Sequence, residues 1–434
     1  MGNPLSVGSA YESSQTCQQS CKIAKKRISI TQRHVPAANK ANNRHRSMTT
    51  NNQTNLMAFA EIPLIDLSLA ADPLTRPLVL AQLHRALISV GFLYVSNHGV
   101  PDTVVRDLVQ VLPRLFVLDR MAKDAIAMRN SPHFLGYSGV GAETTGGQTD
   151  SREQVEFATE LAAVDSPAAP LYEKLRGPNQ VVICLCLVDN IVASLTMEIA
   201  CLSKWPSELP NLRPIVTSYI DELTALGERF LRLVADALSL PSDVFLPFLS
   251  DQHRLKLVHY PGSQKSHSGS SCIQGVGPHK DSSGWWTFLL QASPPDVKGL
   301  QVLNKNGDWI DVPVIPGTFV VNIGQAFEVV TNGVCKATTH RVLVSGEKDR
   351  YSVPFFQGVR CSLTKSEATE TLKQHFSGVV DGGESAEGSG VDSAFLKGKY
   401  DTWGESQLRT KIRSHKDVGK RFYGDVFDLY VDES

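Results

Sequence analysis

The chain has 434 residues, of which 42% are hydrophobic and 20% charged, a composition typical of a globular protein with a sizeable core and unlike that of a fibrous or wholly disordered chain. Lys and Arg number 43 against 44 Asp and Glu, so the net charge of −1 gives no overall attraction to nucleic acid or to a membrane surface. The eight cysteines lack the repeated close spacing of a disulfide framework or a zinc module, and we therefore expect a reducing compartment.

Residues 1–57 differ in composition from the rest of the chain. They are rich in Ser, Thr, Asn and Gln, and their basic residues far outnumber the single acid, Glu12. With few apolar side chains, this stretch cannot bury enough surface to offset its ordering entropy, which predicts a disordered basic tail or an extension of the gene model before Met48 or Met57. It has no apolar signal segment, so we expect a cytoplasmic protein, although the composition also fits a mitochondrial presequence.

The region 58–250 is predicted to contain both helices and strands. Apolar runs at 62–67 and 91–95 indicate strands, and helical spacing at 78–90 and 101–128 indicates two helices. A long stripe of apolar residues at steps of three and four predicts an amphipathic helix over 212–240.

The region 251–360 is rich in short strand-like runs separated by Gly, Pro, Asn and Asp. The predicted strands are 255–260, 286–291, 300–303, 309–314, 318–323, 340–344 and 351–356. Short strands at fairly even spacing suggest a β-barrel or jelly roll. Residues 361–434 are predicted to form a carboxyl-terminal helical region, with a surface loop at 381–393 and a helix at 405–421.

Three residues in the β-rich region have the pattern of metal ligands. His279 and Asp281 are two positions apart, so in extended backbone their side chains point to the same side. His340 opens a later predicted strand and supplies a third candidate ligand. Two imidazoles and one carboxylate occupy one face of an octahedron and leave three positions open, which suits non-haem Fe(II) better than structural zinc.

A second pair of polar residues follows this candidate metal site. Arg350 and Ser352 share one face of a predicted strand. A guanidinium and a hydroxyl that point inward together form a receptor for a carboxylate.

With these motifs, residues 61–425 resemble the 2-oxoglutarate and Fe(II)-dependent dioxygenases of the isopenicillin N synthase-like superfamily, in particular fungal members. The resemblance rests on several segments that occur in the family's order: Ile62–Leu67, Gly91–Gly99, Gly136–Ser138, Tyr260–Pro261, His279–Asp281, Gly299–Val302, Asn322–Gly324, His340–Val342 and Arg350–Ser352. The resemblance implies an α+β fold with a mainly β core, a double-stranded β-helix or jelly roll flanked by helices, with 251–360 as the core.

The resemblance also implies a metal site and a cosubstrate site. It implies that Fe(II) is held by His279, Asp281 and His340. The distal carboxylate of 2-oxoglutarate would be bound by Arg350 and Ser352.

The same resemblance gives Tyr260 an assisting role at 2-oxoglutarate. It further implies that O₂ is a cosubstrate and that 2-oxoglutarate is decarboxylated to succinate and CO₂ while a small-molecule substrate is hydroxylated, desaturated or cyclised. No side chain beyond the metal site is required as an acid or base, and neither nucleic acid nor a membrane is an expected partner. The sequence makes no prediction of the oligomeric state.

Three features depart from the family pattern, and one of them, Gln325 in place of an Asp that many members have, touches no ligand. Val258 stands where many members have Asn, so one polar contact to the cosubstrate is absent. Residues 181–204 are apolar, contain three of the eight cysteines and interrupt the match. Asp189 and Glu198 argue against a membrane span there, and we interpret this 24-residue segment as translated intron sequence, with a buried helix as the alternative.

Two other functions remain open from the sequence. An isopenicillin N synthase-like Fe(II) oxidase would use the same metal ligands without 2-oxoglutarate, and the substrate's own carboxylate would then bind Arg350 and Ser352. A metal-free jelly-roll binding protein is disfavoured, because all three candidate ligands and the carboxylate receptor are present.

Overall fold

The computed structural model describes residues 58–164, 166–182, 201–203, 205–262, 273–344, 348–376 and 391–432. These residues belong to one unit, Leu56–Ser434, and the other unit, Met1–Asn55, lies outside the described residues. The predicted basic tail, most of the 181–204 segment and most of the 381–393 loop also lie outside them.

The first part of the chain alternates short strands with helices, as predicted. Its elements are β1 (Leu64–Asp66), α1 (Arg76–Ser89), β2 (Phe92–Ser96), α2 (Asp102–Phe116), α3 (Arg120–Ala125), β3 (Gly136–Ser138), β4 (Thr144–Thr145), β5 (Gln148–Thr149), β6 (Glu153–Ala158), β7 (Gln180–Val182), β8 (Cys201–Ser203) and α4 (Leu212–Ala237). The prediction of one helix over 101–128 is wrong. The Asp119 side chain accepts a hydrogen bond from Ala122 N at 2.8 Å and so caps a separate helix, α3.

The second part supplies all the remaining strands of the described residues. Its elements are β9 (Arg254–Tyr260), β10 (Ile273–His279), β11 (Trp286–Gln291), β12 (Leu300–Leu303), β13 (Trp309–Asp311), β14 (Thr318–Ile323), α5 (Gln325–Val330), β15 (His340–Val344) and β16 (Arg350–Phe356). All seven strands predicted here are present. Strand β10 was not predicted, because Gly275, Gly277 and Pro278 give it the composition of a loop.

Six helices follow within the described residues. They are α6 (Lys365–Glu370), α7 (Lys373–Phe376), α8 (Ala394–Lys397), α9 (Trp403–Ser414), α10 (Lys416–Phe422) and α11 (Gly424–Asp432). The helix predicted over 405–421 is therefore two helices, which meet at His415.

Two sheets organise the strands around the candidate site. The larger has the order β1-β2-β14-β11-β16-β9-β6-β3, and the smaller has the order β10-β15-β12-β13. In the larger sheet β2 pairs with β14 and β6 pairs with β9, so strands from 58–250 and from 251–360 form one continuous sheet. The predicted α+β fold with a mainly β core is confirmed at this level.

Alternating residues of the larger sheet pack into two different apolar clusters. On β14, Phe319 and Val321 belong to the cluster that contains the buried face of α4. The intervening Val320 belongs to a second cluster, which includes Val302 and Val342 from the smaller sheet. The larger sheet therefore has α4 on one side and the smaller sheet on the other. Across the described residues, the helices are too short or too polar to span a bilayer.

Candidate active site

The three predicted metal ligands lie together where the smaller sheet approaches the larger one. His279 ends β10 and His340 begins β15, and these residues are opposite each other in the antiparallel pair. Asp281 follows β10 by two residues. One nitrogen of each histidine and one carboxylate oxygen of Asp281 lie within 4.8 Å of one another.

Backbone carbonyls fix the orientation of both imidazoles. Nδ1 of His279 donates to the carbonyl of Gly277 at 2.8 Å, and Nδ1 of His340 donates to that of Thr338 at 3.1 Å. A neutral imidazole that donates through Nδ1 keeps the lone pair of Nε2 free to bind a metal. Both Nε2 atoms lie 3.6 Å from Oδ1 of Asp281, so three donor atoms converge on one point.

The larger sheet holds the other carboxylate oxygen of Asp281. Oδ2 accepts hydrogen bonds from Oγ1 of Thr287 at 2.5 Å and from Nδ2 of Asn322 at 2.7 Å. Thr287 and Asn322 are partners on β11 and β14. Neither residue was predicted to belong to the site, since only the pairing of these two strands brings both side chains to Asp281.

The electrostatics of this group favour the protonation states that a metal requires. Burial alone would raise the pKa of Asp281, but the facing His340 and His279 imidazoles and the Thr287 hydroxyl together hold it well below its usual range. Burial, with the neighbouring His279, lowers the pKa of His340 to about 4. At neutral pH the group therefore has an ionised carboxylate and a neutral His340.

The predicted carboxylate receptor lies on β16 and β9. Arg350 opens β16 opposite Tyr260, and its guanidinium carbon lies 4.8 Å from the centre of the Tyr260 ring. The guanidinium is buried, yet within the described residues its Nη1 has no hydrogen-bond partner, and Nη2 donates to Oε1 of Gln291 at 3.5 Å. Ser352 is also buried, two residues along the same strand. A buried donor without a partner indicates a place for an acceptor that the protein itself does not supply.

One cavity of about 350 Å³ is lined by the three metal-ligand candidates and by Tyr260, Arg350 and Ser352. It extends from the metal-ligand candidates and Arg350 to a cluster of charged side chains, which we call the charged wall. Its members lie on β6, β9 and α9 and at the positions just before β4 and β6. The charged wall consists of Glu143, Arg152, Glu156, Arg254, Lys256 and Lys411.

The residues of the charged wall were not predicted to belong to the site. The alternation of side chains in β9 could have indicated part of the charged wall, because Arg254, Lys256 and Val258 share a face with the inward-pointing Tyr260.

Ion pairs keep the acids of the charged wall ionised. Burial alone would raise the pKa of Glu143, but the nearby cations Lys256 and Arg152 lower it to about 2. Burial is the main cause that lowers the pKa of Lys411 to about 8, despite its contact with Glu156. Burial would also raise the pKa of Glu156, but Lys411, Lys256 and Arg254 hold it well below its usual range. Glu143 and Glu156 are thus charged at neutral pH, and Lys411 remains mainly protonated.

Two family models match the chain. One, described as the non-haem dioxygenase in morphine synthesis N-terminal domain, matches residues 62–182. The other, described as the 2OG-Fe(II) oxygenase superfamily, matches residues 252–359 and so includes the three candidate metal ligands, Arg350 and Ser352.

Curated relatives match along most of their length. The 2-oxoglutarate-dependent dioxygenase frbJ of Dothideomycetidae sp. (strain 11243) is 39% identical over 376 residues, which are 84% of this chain and 93% of that protein. A 2-oxoglutarate-dependent dioxygenase of Gibberella zeae is 32% identical over 387 residues, 86% of this chain and 93% of its own.

Among solved structures, a full-length Neurospora crassa protein in complex with alpha-KG and 5-formyluracil is similar, with a TM-score of 0.55. The match covers 84% of this chain and 96% of the Neurospora chain, at 22% sequence identity. At this low sequence identity, the similarity shows that the two proteins share a fold and nothing further.

Proposed function

This chain belongs to the 2OG-Fe(II) oxygenase superfamily, and from that premise we propose that it oxidises a small-molecule metabolite by hydroxylation, desaturation or cyclisation. It is an enzyme, a 2-oxoglutarate-dependent dioxygenase, and it uses Fe(II), 2-oxoglutarate and O₂. The resemblance stated from the sequence is thereby confirmed. For a hydroxylation, the balanced reaction converts substrate, 2-oxoglutarate and O₂ into hydroxylated substrate, succinate and CO₂.

The proposed iron ligands are His279 and His340, each through Nε2, and Asp281 through Oδ1. The support is the donor set itself, since both histidines have Nδ1 hydrogen-bonded to a carbonyl and Asp281 has Oδ2 held by two other side chains. Two neutral nitrogens and one carboxylate oxygen on one face suit Fe(II). The bound iron supplies the activation of O₂. The protein orients the ligands and leaves the opposite side open to the cavity.

We assign the distal carboxylate of 2-oxoglutarate to Arg350 and Ser352. The Nη1 group of Arg350 is a buried donor without a protein partner among the described residues, and a carboxylate would accept from it with a charge-assisted hydrogen bond. Ser352 adds a hydroxyl on the same side of β16, and Tyr260 packs its ring on the guanidinium. Val258, buried on the same wall, adds only apolar contact.

We propose that the strands of 251–360 form a double-stranded β-helix with the iron at one mouth. The regions 58–250 and 361–434 complete the catalytic unit, since both contribute residues to the lining of the cavity. Glu143 and Glu156 come from the first region, and Lys411 comes from the second.

The single observation that carries the proposal is the convergence of two Nε2 atoms on Oδ1 of Asp281 at 3.6 Å each, inside the cavity that also contains Arg350. The test is succinate formation by purified protein supplied with Fe(II), 2-oxoglutarate and air. We expect succinate from the wild type and from His84→Ala, a matched change of an exposed histidine on α1. His279→Ala and His340→Ala should form none and should bind Fe(II) weakly under argon.

Equal Fe(II) binding by the wild type and by His340→Ala would contradict the assigned metal site. Oxidation of a substrate without succinate would instead favour the oxidase that does not use 2-oxoglutarate. An untargeted metabolite comparison of strains with and without the gene should find the substrate as a mass change of one oxygen or two hydrogens.

A further inference from the structure

The end of the cavity formed by the charged wall has the properties of a binding site for an acidic substrate. Successive inward residues of β9 form a row along the cavity, from Tyr260 beside Arg350, through Val258, to Lys256 and Arg254. The row therefore links the cosubstrate site to the charged wall.

The two carboxylates of the charged wall already have hydrogen-bond partners. Glu156 accepts from Arg254 at 2.7 Å and from Lys411 at 2.8 and 3.0 Å. Glu143 accepts from Arg152 at 2.5 Å through Oε2. Its other oxygen, Oε1, accepts from Gln154 Nε2 at 2.6 Å. Neither carboxylate requires Lys256 to satisfy its oxygens.

Lys256 differs from the other cations of the charged wall. Its Nζ lies 3.8 Å from Oε2 of Glu156 and 4.0 Å from Oε1 of Glu143, both beyond hydrogen-bond distance. In the part of the chain that the structure describes, this ammonium makes no hydrogen bond, although only 17% of the side chain is exposed. An ammonium carries three N–H donors, and the described residues place no acceptor within hydrogen-bond distance of them here, so they are available to a ligand in the cavity.

The charges around Lys256 do not cancel. The cations are Arg152, Arg254, Lys256 and Lys411, and the acids are Glu143, Glu156 and Asp150, which contacts Arg152 at 3.3 Å. His415 faces Glu143, but burial lowers its pKa to about 4 and it adds no charge at neutral pH. One positive charge is therefore in excess at this end of the cavity, and one anionic group would balance it.

We propose that the main substrate is a small organic acid and that Lys256 binds its carboxylate. This inference rests on the proposed function, because it assigns the substrate of the same site. Thr287, which holds Asp281, pairs with Phe356 on β16, and Phe356 pairs with Arg254 on β9. Two strand spacings separate Thr287 from β9, roughly 10 Å. The carboxylate of the substrate, bound at Lys256, is thus several bonds away from the substrate carbon that is oxidised.

The experiment compares binding of acids with binding of their neutral esters. The panel contains straight-chain monocarboxylic acids of six to twelve carbons and 3-phenylpropanoic acid, each with its methyl ester. Dissociation constants are measured by ligand-observed nuclear magnetic resonance on the protein loaded with Fe(II) and 2-oxoglutarate under argon. We expect at least one acid to bind at least tenfold more tightly than its ester.

Lys256→Met removes the charge and keeps the length of the side chain, so it should abolish that preference. Lys256→Arg should retain it, and Lys305→Met, a change of an exposed lysine in the β12–β13 turn, should leave it unchanged. Circular dichroism checks that each variant is folded. A panel with no acid preferred over its ester, or a preference that survives in Lys256→Met, would overturn the inference.

Succinate formation in air separates this inference from the proposed function. If succinate forms but no acid is preferred, the assignment of Lys256 fails and the dioxygenase activity stands. If an acid is preferred through Lys256 but no succinate forms with or without the panel compounds, the anion site stands and the proposed reaction fails.

Discussion

Asn322 donates a hydrogen bond of 2.7 Å to Oδ2 of Asp281, and this contact leaves the other carboxylate oxygen facing the two histidines. The two residues come from different parts of the fold, since Asp281 follows a strand of the smaller sheet and Asn322 lies on β14 of the larger one. The geometry of the metal-ligand candidates therefore depends on how the two sheets are held together.

Asn322→Ala should weaken metal binding without removing a ligand. Asp281 would keep only the Thr287 hydrogen bond and could rotate away from the histidines. Loss of such a supporting contact typically lowers metal affinity by about 10- to 100-fold. The measurement is an anaerobic Fe(II) titration, with Asn306→Ala in an exposed turn as the control. Unchanged affinity in Asn322→Ala would show that Thr287 alone orients the carboxylate.

Arg350→Met should weaken 2-oxoglutarate binding and leave the unliganded protein at least as stable as the wild type. The guanidinium is buried and only partly paired, so the substitution relieves the cost of desolvating it in the unliganded protein. The same substitution removes a charge-assisted contact with the cosubstrate. The expected increase in the dissociation constant of 2-oxoglutarate is about 10- to 100-fold.

Thermal denaturation measures both effects of Arg350→Met. A ligand that binds the native state raises Tm, so 2-oxoglutarate with Fe(II) should raise the Tm of the wild type more than that of the variant. An equal rise in Tm in both proteins would show that Arg350 does not bind 2-oxoglutarate. Fe(II) alone should stabilise both to the same extent, which serves as the control.

Glu153→Gln should lower stability at neutral pH, and the difference from the wild type should shrink in acid. Burial alone would raise the pKa of Glu153, but hydrogen bonds from His259, Tyr137 and Lys123 lower it to about 2, against an ordinary value of 4.5. A carboxyl whose folded pKa is depressed contributes stability that is fully present above its unfolded pKa. That contribution is lost as the pH falls from about 4.5 to about 2.

Urea denaturation at several pH values between 7 and 3 tests this prediction, with the exposed Glu61→Gln as control. The free-energy difference between wild type and Glu153→Gln should be largest at pH 7 and should decrease below about pH 4.5. A difference that stays constant over this range would mean that the ionised carboxylate is not what these hydrogen bonds stabilise.

The sequence predicted those features of the site that depend on local pattern. The two-residue spacing of His279 and Asp281 predicted that they share a side, and the strand that His340 opens was predicted as one of the short strand-like runs of the β-rich region. The roles of Thr287 and Asn322 could not be predicted in this way, because they depend on which strands are neighbours. The same holds for Lys256. The alternation in β9 predicts which face of the strand it lies on, but the residues around it come from β6 and α9.

Gln274→Leu should loosen the β4–β5 hairpin, whose residues Thr144 and Thr145 line the cavity. Nε2 of Gln274 on β10 lies 3.2 Å from the carbonyl oxygens of Thr145 and Gln148 and 3.1 Å from Oδ1 of Asp150, and its two N–H groups donate among these three acceptors. These contacts join the hairpin to the strand that ends in His279. Since each hydrogen bond contributes about 1 kcal/mol, their loss should speed amide hydrogen exchange at 143–150 by about tenfold or more.

Hydrogen exchange followed by mass spectrometry measures this change directly. Gln301→Leu is the matched control, because Gln301 bonds to Asp311 on the distant β12–β13 pair and its loss should leave exchange at 143–150 unchanged. If Gln274→Leu also left exchange there unchanged, the Asp150 contacts with Thr145 and Arg152 would suffice to hold the hairpin. Faster exchange confined to 143–150 would instead identify Gln274 as the residue that fixes this part of the cavity wall against β10.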